Sequence, residues 1–493
     1  MPKLNHKNSL YVPVGLELNK LLDAENLELH IDKIHWITNF LILSRIFNKG
    51  SEWTPIHSKV FKAALGKKLY AKAKQLAIDH GLIEVELNAA GKPSYAKATS
   101  DQVGFPMSYR LTVPYAEQRW HRIQVHDKQV LKYLGRRRNP AKLTPAENHL
   151  WKNVQRVKIL DIPDLENGTD EEIVFDCIRE RNFRKKRGPY KRFHTTLTNC
   201  QRELRESWHV GGETLVELDI CNCQPLLFAW LVGAFLENNW QKINFLISKL
   251  YTKPTNLSLS STVPYVSLED VPNLILPLKN RDLLPKNALH LIELCEGCDF
   301  YEFFVEEAGL DASDKAVRDA NKIKILQQFF DDWNRPYFHR YEFPPILKTH
   351  FPAAYDVCSH IKALEFQSLA RLMQAIEGYL VIDVIAEELR VNYADMPIVT
   401  VHDAMFTTPK WLPILRGVVQ DAFWNRLGVH VGFKGENVKP LLVDGLGSCL
   451  TNDALTAPEG APVAIKPSGG LTSPVEQDAL SALLSAPEAS LNI

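Results

Sequence analysis

The chain has 493 residues, 45% of them hydrophobic, with 58 Lys plus Arg against 58 Asp plus Glu. That length exceeds one ordinary core and predicts two or three domains of globular composition. A net charge of zero neither requires nor excludes a nucleic-acid partner, so the distribution of charge must decide.

Eight cysteines are scattered without a secreted disulfide framework, and Met1 leads into polar residues rather than an apolar signal core. No apolar run approaches the roughly 18–20 residues of a membrane span. The expectation is a cytoplasmic protein with reduced thiols and no membrane contact. Cys295-Glu296-Gly297-Cys298 has zinc-like spacing, but no second pair follows at zinc-ribbon distance, and Cys221 and Cys223 are too close together for the usual partner pair.

Residues 1–33 read as an N-terminal extension. Over 34–114 an apolar helix around Trp36–Phe47 is followed by Pro55–Leu65, a break at Gly66 and a second helix Leu69–His80. Leu82–Leu87 then alternates like a strand, Asn88–Pro93 turns, and Ser108–Thr112 alternates again. Helix, helix and β-ribbon resemble a winged helix. Lys59, Lys62, Lys67, Lys68, Lys72 and Lys74 would give it a basic approach to phosphates. A small helical cap with solvated lysines is the alternative.

Residues 115–190 are polar, predicted helical and thumb-like, and contain Arg136-Arg137-Arg138 and Arg184-Lys185-Lys186-Arg187; Lys191 and Arg192 follow. A charge run is usually a solvated face, but two in one segment leading into an acidic motif favour a surface that tracks a nucleic-acid backbone. Residues 191–447 alternate strand-like and helical runs, with a Pro- and Ser-rich stretch at 252–290. Residues 448–493 read as a disordered tail in which Val475–Leu484 would be a short helix able to dock on a replication partner.

Two acids in the large segment point to chemistry. Leu215–Leu218 delivers Asp219 to a strand end before a helical run, and Ile398–Val401 delivers Asp403 to what reads as a hairpin turn ahead of Met405-Phe406. A lone Asp at a strand end is usually a turn or cap residue. Two on neighbouring strands would make a two-metal clamp for in-line phosphoryl transfer. Arg318 and Lys322, four apart, lie on one helical face and can grip one polyphosphate, with Phe330 two turns further along; alternatively they are cations on a solvated helix.

In order along the chain, these motifs resemble the polymerase domain of family A DNA polymerases. Arg192-Phe193-His194-Thr195-Thr196 through Arg202 and Arg205 is similar to the arginine-bearing lead-in that contacts primer and template. Asp219 with Gln224 and Pro225 is similar to the first catalytic motif, and Gln224 falls where the family has the bulky residue that excludes a ribose 2′-OH. Glu296–Tyr301 resembles the element that opens the fingers, and Arg318-x-x-x-Lys322 the triphosphate-binding motif, although Leu326, Phe330 and Asp331 depart from its aromatic and Tyr-Gly. Leu372–Glu377 resembles the helix under the primer, with Gln374 in the place of the family's amide. His402-Asp403 matches the third motif, whose usual second acid is Ala404 here; single-subunit phage RNA polymerases have a small residue and an aromatic at that turn, as Met405-Phe406-Thr407 leans.

The resemblance implies an α/β palm with helical fingers, behind the thumb-like segment and winged helix. It implies two Mg²⁺, with Mn²⁺ an alternative, held by Asp219, Asp403 and the Ile220 carbonyl, and a primer end oriented by His402. Arg318, Lys322, Gln224 and Phe330 would bind a nucleoside triphosphate; Arg192, Arg205 and Gln374 would bind a DNA primer-template or single strand. The expected activity is a DNA polymerase without proofreading, acting in plasmid, phage or mobile-element replication. A primase or RNA polymerase on the same palm, and a non-catalytic winged-helix initiator, are the rivals.

Overall fold

The computed structural model describes residues 8–47, 53–95, 105–135, 143–160, 166–188, 192–237, 275–331, 333, 343–364 and 366–434. These fall in one compact unit, Met1–Val443. The Arg136–Arg138 cluster, Lys191, the Pro- and Ser-rich stretch up to residue 274, and the tail with Val475–Leu484 lie outside the described residues. The described chain mixes many helices with small antiparallel sheets.

The first half contains β1 (Ser9–Pro13), α1 (Ala24–Phe47), β2 (Thr54–Pro55), α2 (Ser58–Leu65), α3 (Tyr70–Asp79), β3 (Ile83–Val85), β4 (Ser108–Leu111), β5 (Trp120–Gln124), α4 (Lys128–Leu134), α5 (Pro145–Val154), α6 (Asp170–Arg179), β6 (Lys185–Arg187) and β7 (Phe193–Thr195). β2, β4 and β3 form a sheet in that order, with α1, α2 and α3 before its last two strands. Lys59, Lys62, Lys67, Lys68 and Lys72 are exposed there. Lys74 is half-buried, its Nζ 5.8 Å from the Tyr109 ring centroid.

The helix expected from Trp36 starts twelve residues earlier, at Ala24, and runs across the 33/34 boundary. Its first half has no clean apolar stripe, because its inward positions include polar residues whose partners lie far along the chain. Asp32 accepts the backbone N–H groups of His126 and Asp127 at 2.6 Å each, and Lys33 pairs with Asp127 at 2.5 Å. The extension and the 115–190 segment are likewise tied together: β1 pairs with β5, and one apolar core draws on Leu10, Trp36, Trp120, Ile173 and Trp208 alike.

The second half contains β8 (Val216–Asp219), α7 (Cys223–Leu236), α8 (Lys286–Glu296), α9 (Phe300–Glu307), α10 (Lys315–Phe330), α11 (Ser368–Gly378), β9 (Val399–Val401), β10 (Ala404–Thr407) and α12 (Leu412–Leu427). α7 is apolar all round and almost wholly buried, as a helix with no polar face must be. α11 continues into a π-helical stretch, Tyr379–Ala386, packed in the larger core.

β8, β10 and β9 form a sheet in that order. Side chains alternate across it, so Leu218 and Met405 enter the larger core while Ala404 and Phe406 enter the core of the first half. β9 and β10 are buried on both faces, while β8 at the sheet edge is only partly buried and carries Glu217 and Asp219.

Candidate functional site

In the β8–β10 register Asp219 lies opposite Ala404, and β9 and β10 close a two-residue hairpin whose turn is His402-Asp403. The two acids therefore share one end of one sheet, although 183 residues separate them in the chain. His402 takes a φ of +59°. That left-handed conformation is uncommon outside glycine, although His, like Asn and Asp, adopts it more readily than most residues.

Burial raises the Asp403 carboxyl above its usual range, and the charge of Asp219 raises it further. Asp219 is paired with the Lys434 ammonium, and its carbonyl accepts the Lys434 N–H at 3.0 Å. The Cys221 N–H donates to the Gly432 carbonyl at 2.9 Å, so Ile220 bridges Phe433 with its own carbonyl outside these two bonds.

Lys322 lies on α10, and its Nζ is 4.8 Å from the Tyr301 ring centroid. Burial lowers its pKa, the neighbouring Lys434 charge adds to that, and Cys221 and Asp219 oppose it. Arg318, one turn earlier, stands 3.5 Å from Glu302 on α9 and is about a third exposed, at 34%. Phe330 is half-buried and packs against the larger core, as does Leu326.

A second cluster lies beneath. Arg192 donates from Nε and Nη2 to both oxygens of Glu377, at 2.8 and 2.5 Å, and the Gln224 amide donates to the same carboxylate. Glu377 is 2% exposed, and burial raises its carboxyl to about 7 against the opposing pull of Arg192. Gln374, half-buried one turn earlier on α11, is not the residue that meets Gln224 and Arg192; Glu377 is.

His402 faces His194 with ring centroids 5.6 Å apart. Burial, followed by the charges of Arg192, His194 and Arg205, lowers it to about 4, so its imidazole is neutral at pH 7. Arg205 donates to the Cys200 carbonyl at 3.2 Å and lies 3.8 Å from Glu217. Both arginines expected to hold nucleic acid are thus engaged within the protein.

The donor set can be tested against the expected ions. Among the described residues no group of three or more His, Cys, Asp and Glu side chains could hold a metal. Mg²⁺ needs only one or two protein carboxylates and completes its shell with water and substrate phosphates, so Asp219 and Asp403 are the residues that would hold it.

Sequence reading missed Glu377 and Lys434. Glu377 had a signal: it is flanked by Ile376, Gly378 and a long apolar run, where a charged residue is buried only if paired. Lys434 had none, since its place is set by the Ile220–Phe433 bridge.

No protein-family model matches the sequence, and no curated protein and no solved structure matches it. Among the described residues no helix is long and apolar enough to cross a membrane.

Proposed function

We propose that the chain is a template-directed nucleotidyltransferase that builds DNA on a family A-like palm. The observation that carries this reading is the placement of Asp219 and Asp403 at one end of the β8–β10–β9 sheet. Two strands far apart in sequence bring their acids to one sheet end, and the Arg-x-x-x-Lys spacing on α10 supports the same reading.

Bound at Asp219 and Asp403, Mg²⁺ would supply charge neutralisation at the attacking 3′-oxygen and the leaving pyrophosphate. The protein's own residues do the positioning. Lys322 and Arg318 present cations to the triphosphate. Lys434 balances the charge of Asp219 until a cation takes that role. His402, held neutral at the turn, donates or accepts a hydrogen bond at the primer end without adding charge. Gln224, fixed by its bond to Glu377, presents a bulky edge toward the sugar, and the Arg192–Glu377 pair fixes Gln224 in turn.

The order α1, β2, α2, α3, β3, β4, the sheet order β2-β4-β3 and five exposed lysines support a winged helix that approaches a nucleic-acid backbone. A second reading, in which the product is RNA, is favoured by Ala404: it is 5% exposed and directly opposite Asp219, so the position of a further acid is taken by a small buried residue.

Primer extension with Mg²⁺ tests the assignment. Wild-type protein should extend a DNA primer, Asp403→Asn should not, and Lys322→Ala should raise the nucleotide KM at least tenfold, about 1.4 kcal/mol. Extension that survives Asp403→Asn refutes the two-metal role. Preference for ribonucleotides over deoxyribonucleotides selects the second reading.

A further inference from the structure

Seven cysteines lie among the described residues; five are buried, and Cys221 and Cys298 are half-exposed. These two are neighbours beside Gly432, though they come from separate turns. Cys221 follows Asp219-Ile220 in the turn from β8 into α7, and Cys298 occupies the turn from α8 into α9. The place where they meet is kept open by Gly432. A Cβ there would lie 2.5 Å from the Cys298 sulfur, 3.1 Å from the Glu296 carbonyl and 3.8 Å from the Cys221 Cβ. Cys298 itself takes a φ of +68°, a left-handed conformation that a non-glycine residue seldom adopts.

We propose that Cys221 and Cys298 form a redox latch, closed to a disulfide by a peroxide-class oxidant, which ties the α9–α10 hairpin to the end of β8. One thiol sulfur attacks a peroxide oxygen and the O–O bond breaks, giving a sulfenic acid and water. The other thiol then attacks the sulfenic sulfur, the S–OH bond breaks, and a second water leaves. Two thiols lose two protons and two electrons, and hydrogen peroxide is reduced to two waters. A dithiol reductant reverses the exchange.

The hairpin that the latch would hold carries Tyr301 under the Lys322 ammonium and Glu302 against Arg318. Closing the bond fixes the distance between those cations and Asp219. That this would halt nucleotide handling rests on the polymerase reading; the disulfide and the immobilised hairpin do not.

The full-length protein is treated with hydrogen peroxide, quenched, digested without reductant and examined by mass spectrometry. A peptide pair joined through Cys221 and Cys298, released by dithiothreitol and absent from Cys298→Ser, is the expected result. Hydrogen exchange should show severalfold greater protection of Phe300–Glu307 and Lys315–Phe330 in the oxidised wild type, with no change in Cys298→Ser. Free thiols or separate sulfinic acids at both positions after treatment overturn the latch, as does a disulfide that leaves the hairpin's exchange unaltered. Oxidised protein that loses primer extension and regains it with dithiothreitol supports the functional consequence. Protein that extends no primer even when reduced counts against the polymerase reading and leaves the disulfide result standing.

Discussion

Asp403→Asn should stabilise the metal-free protein while removing its response to Mg²⁺. Asp403 directly precedes Ala404, the residue opposite Asp219, and no ion pair to it occurs among the described residues. Like charges a few ångströms apart at an effective dielectric of about 20 repel by about 2–4 kcal/mol. Lys434 offsets part of this, and relieving the burial of a charge adds to the gain, so the net stabilisation at pH 7 should be about 1–2 kcal/mol. The folded-state pKa of Asp403 is raised, so its proton is held more tightly folded than unfolded. Its ionisation therefore costs stability as pH climbs through the raised value, and the Asn variant should gain nothing below about pH 4 and progressively more above it. Denaturant midpoints measured from pH 4 to 8 with EDTA, then repeated with Mg²⁺, test this. Wild type should be stabilised by the metal through mass action, and the variant should not. A variant that is less stable than wild type at pH 7 without metal, or that keeps the full Mg²⁺ response, refutes the reasoning.

Other substitutions probe the supporting contacts. Glu377→Ala strands the Arg192 guanidinium and should cost about 3–5 kcal/mol, seen as a lowered denaturation midpoint. Because burial raises Glu377 to about 7, its share of stability is fullest below its unfolded pKa and falls as pH rises through 7, by at most about 1.4 kcal/mol per pH unit; Glu377→Gln should flatten that slope. Gln224→Ala should lower discrimination against ribonucleotides at least tenfold in single-nucleotide incorporation, and unchanged selectivity removes Gln224 as the sugar gate. Gly432→Ala forces a Cβ to 2.5 Å from the Cys298 sulfur and should cost about 1–3 kcal/mol, part of which Cys298→Ala in the same chain recovers.

The sequence by itself determined what depends on neighbours along the chain. The apolar runs before Asp219 and Asp403 form strands because β-branched and aliphatic residues suit a pleated sheet that is at least partly buried, and each acid falls where its run stops. Arg318 and Lys322 share a helix because four residues make about one turn. Tertiary structure alone decided what those elements face. The pairing of β8 with β10 brings two distant acids to one sheet end; the Ile220–Phe433 bridge sets Lys434 against Asp219; the packing of α11 in the larger core gives Arg192 and Gln224 the buried Glu377 as their common partner. The long polar start of α1 was hidden for the same reason, since Asp32 and Lys33 are satisfied from residues 126 and 127. Strand order and burial are non-local. A carboxylate, lysine or thiol carries no mark in its own segment of the charge or sulfur that folding will place beside it.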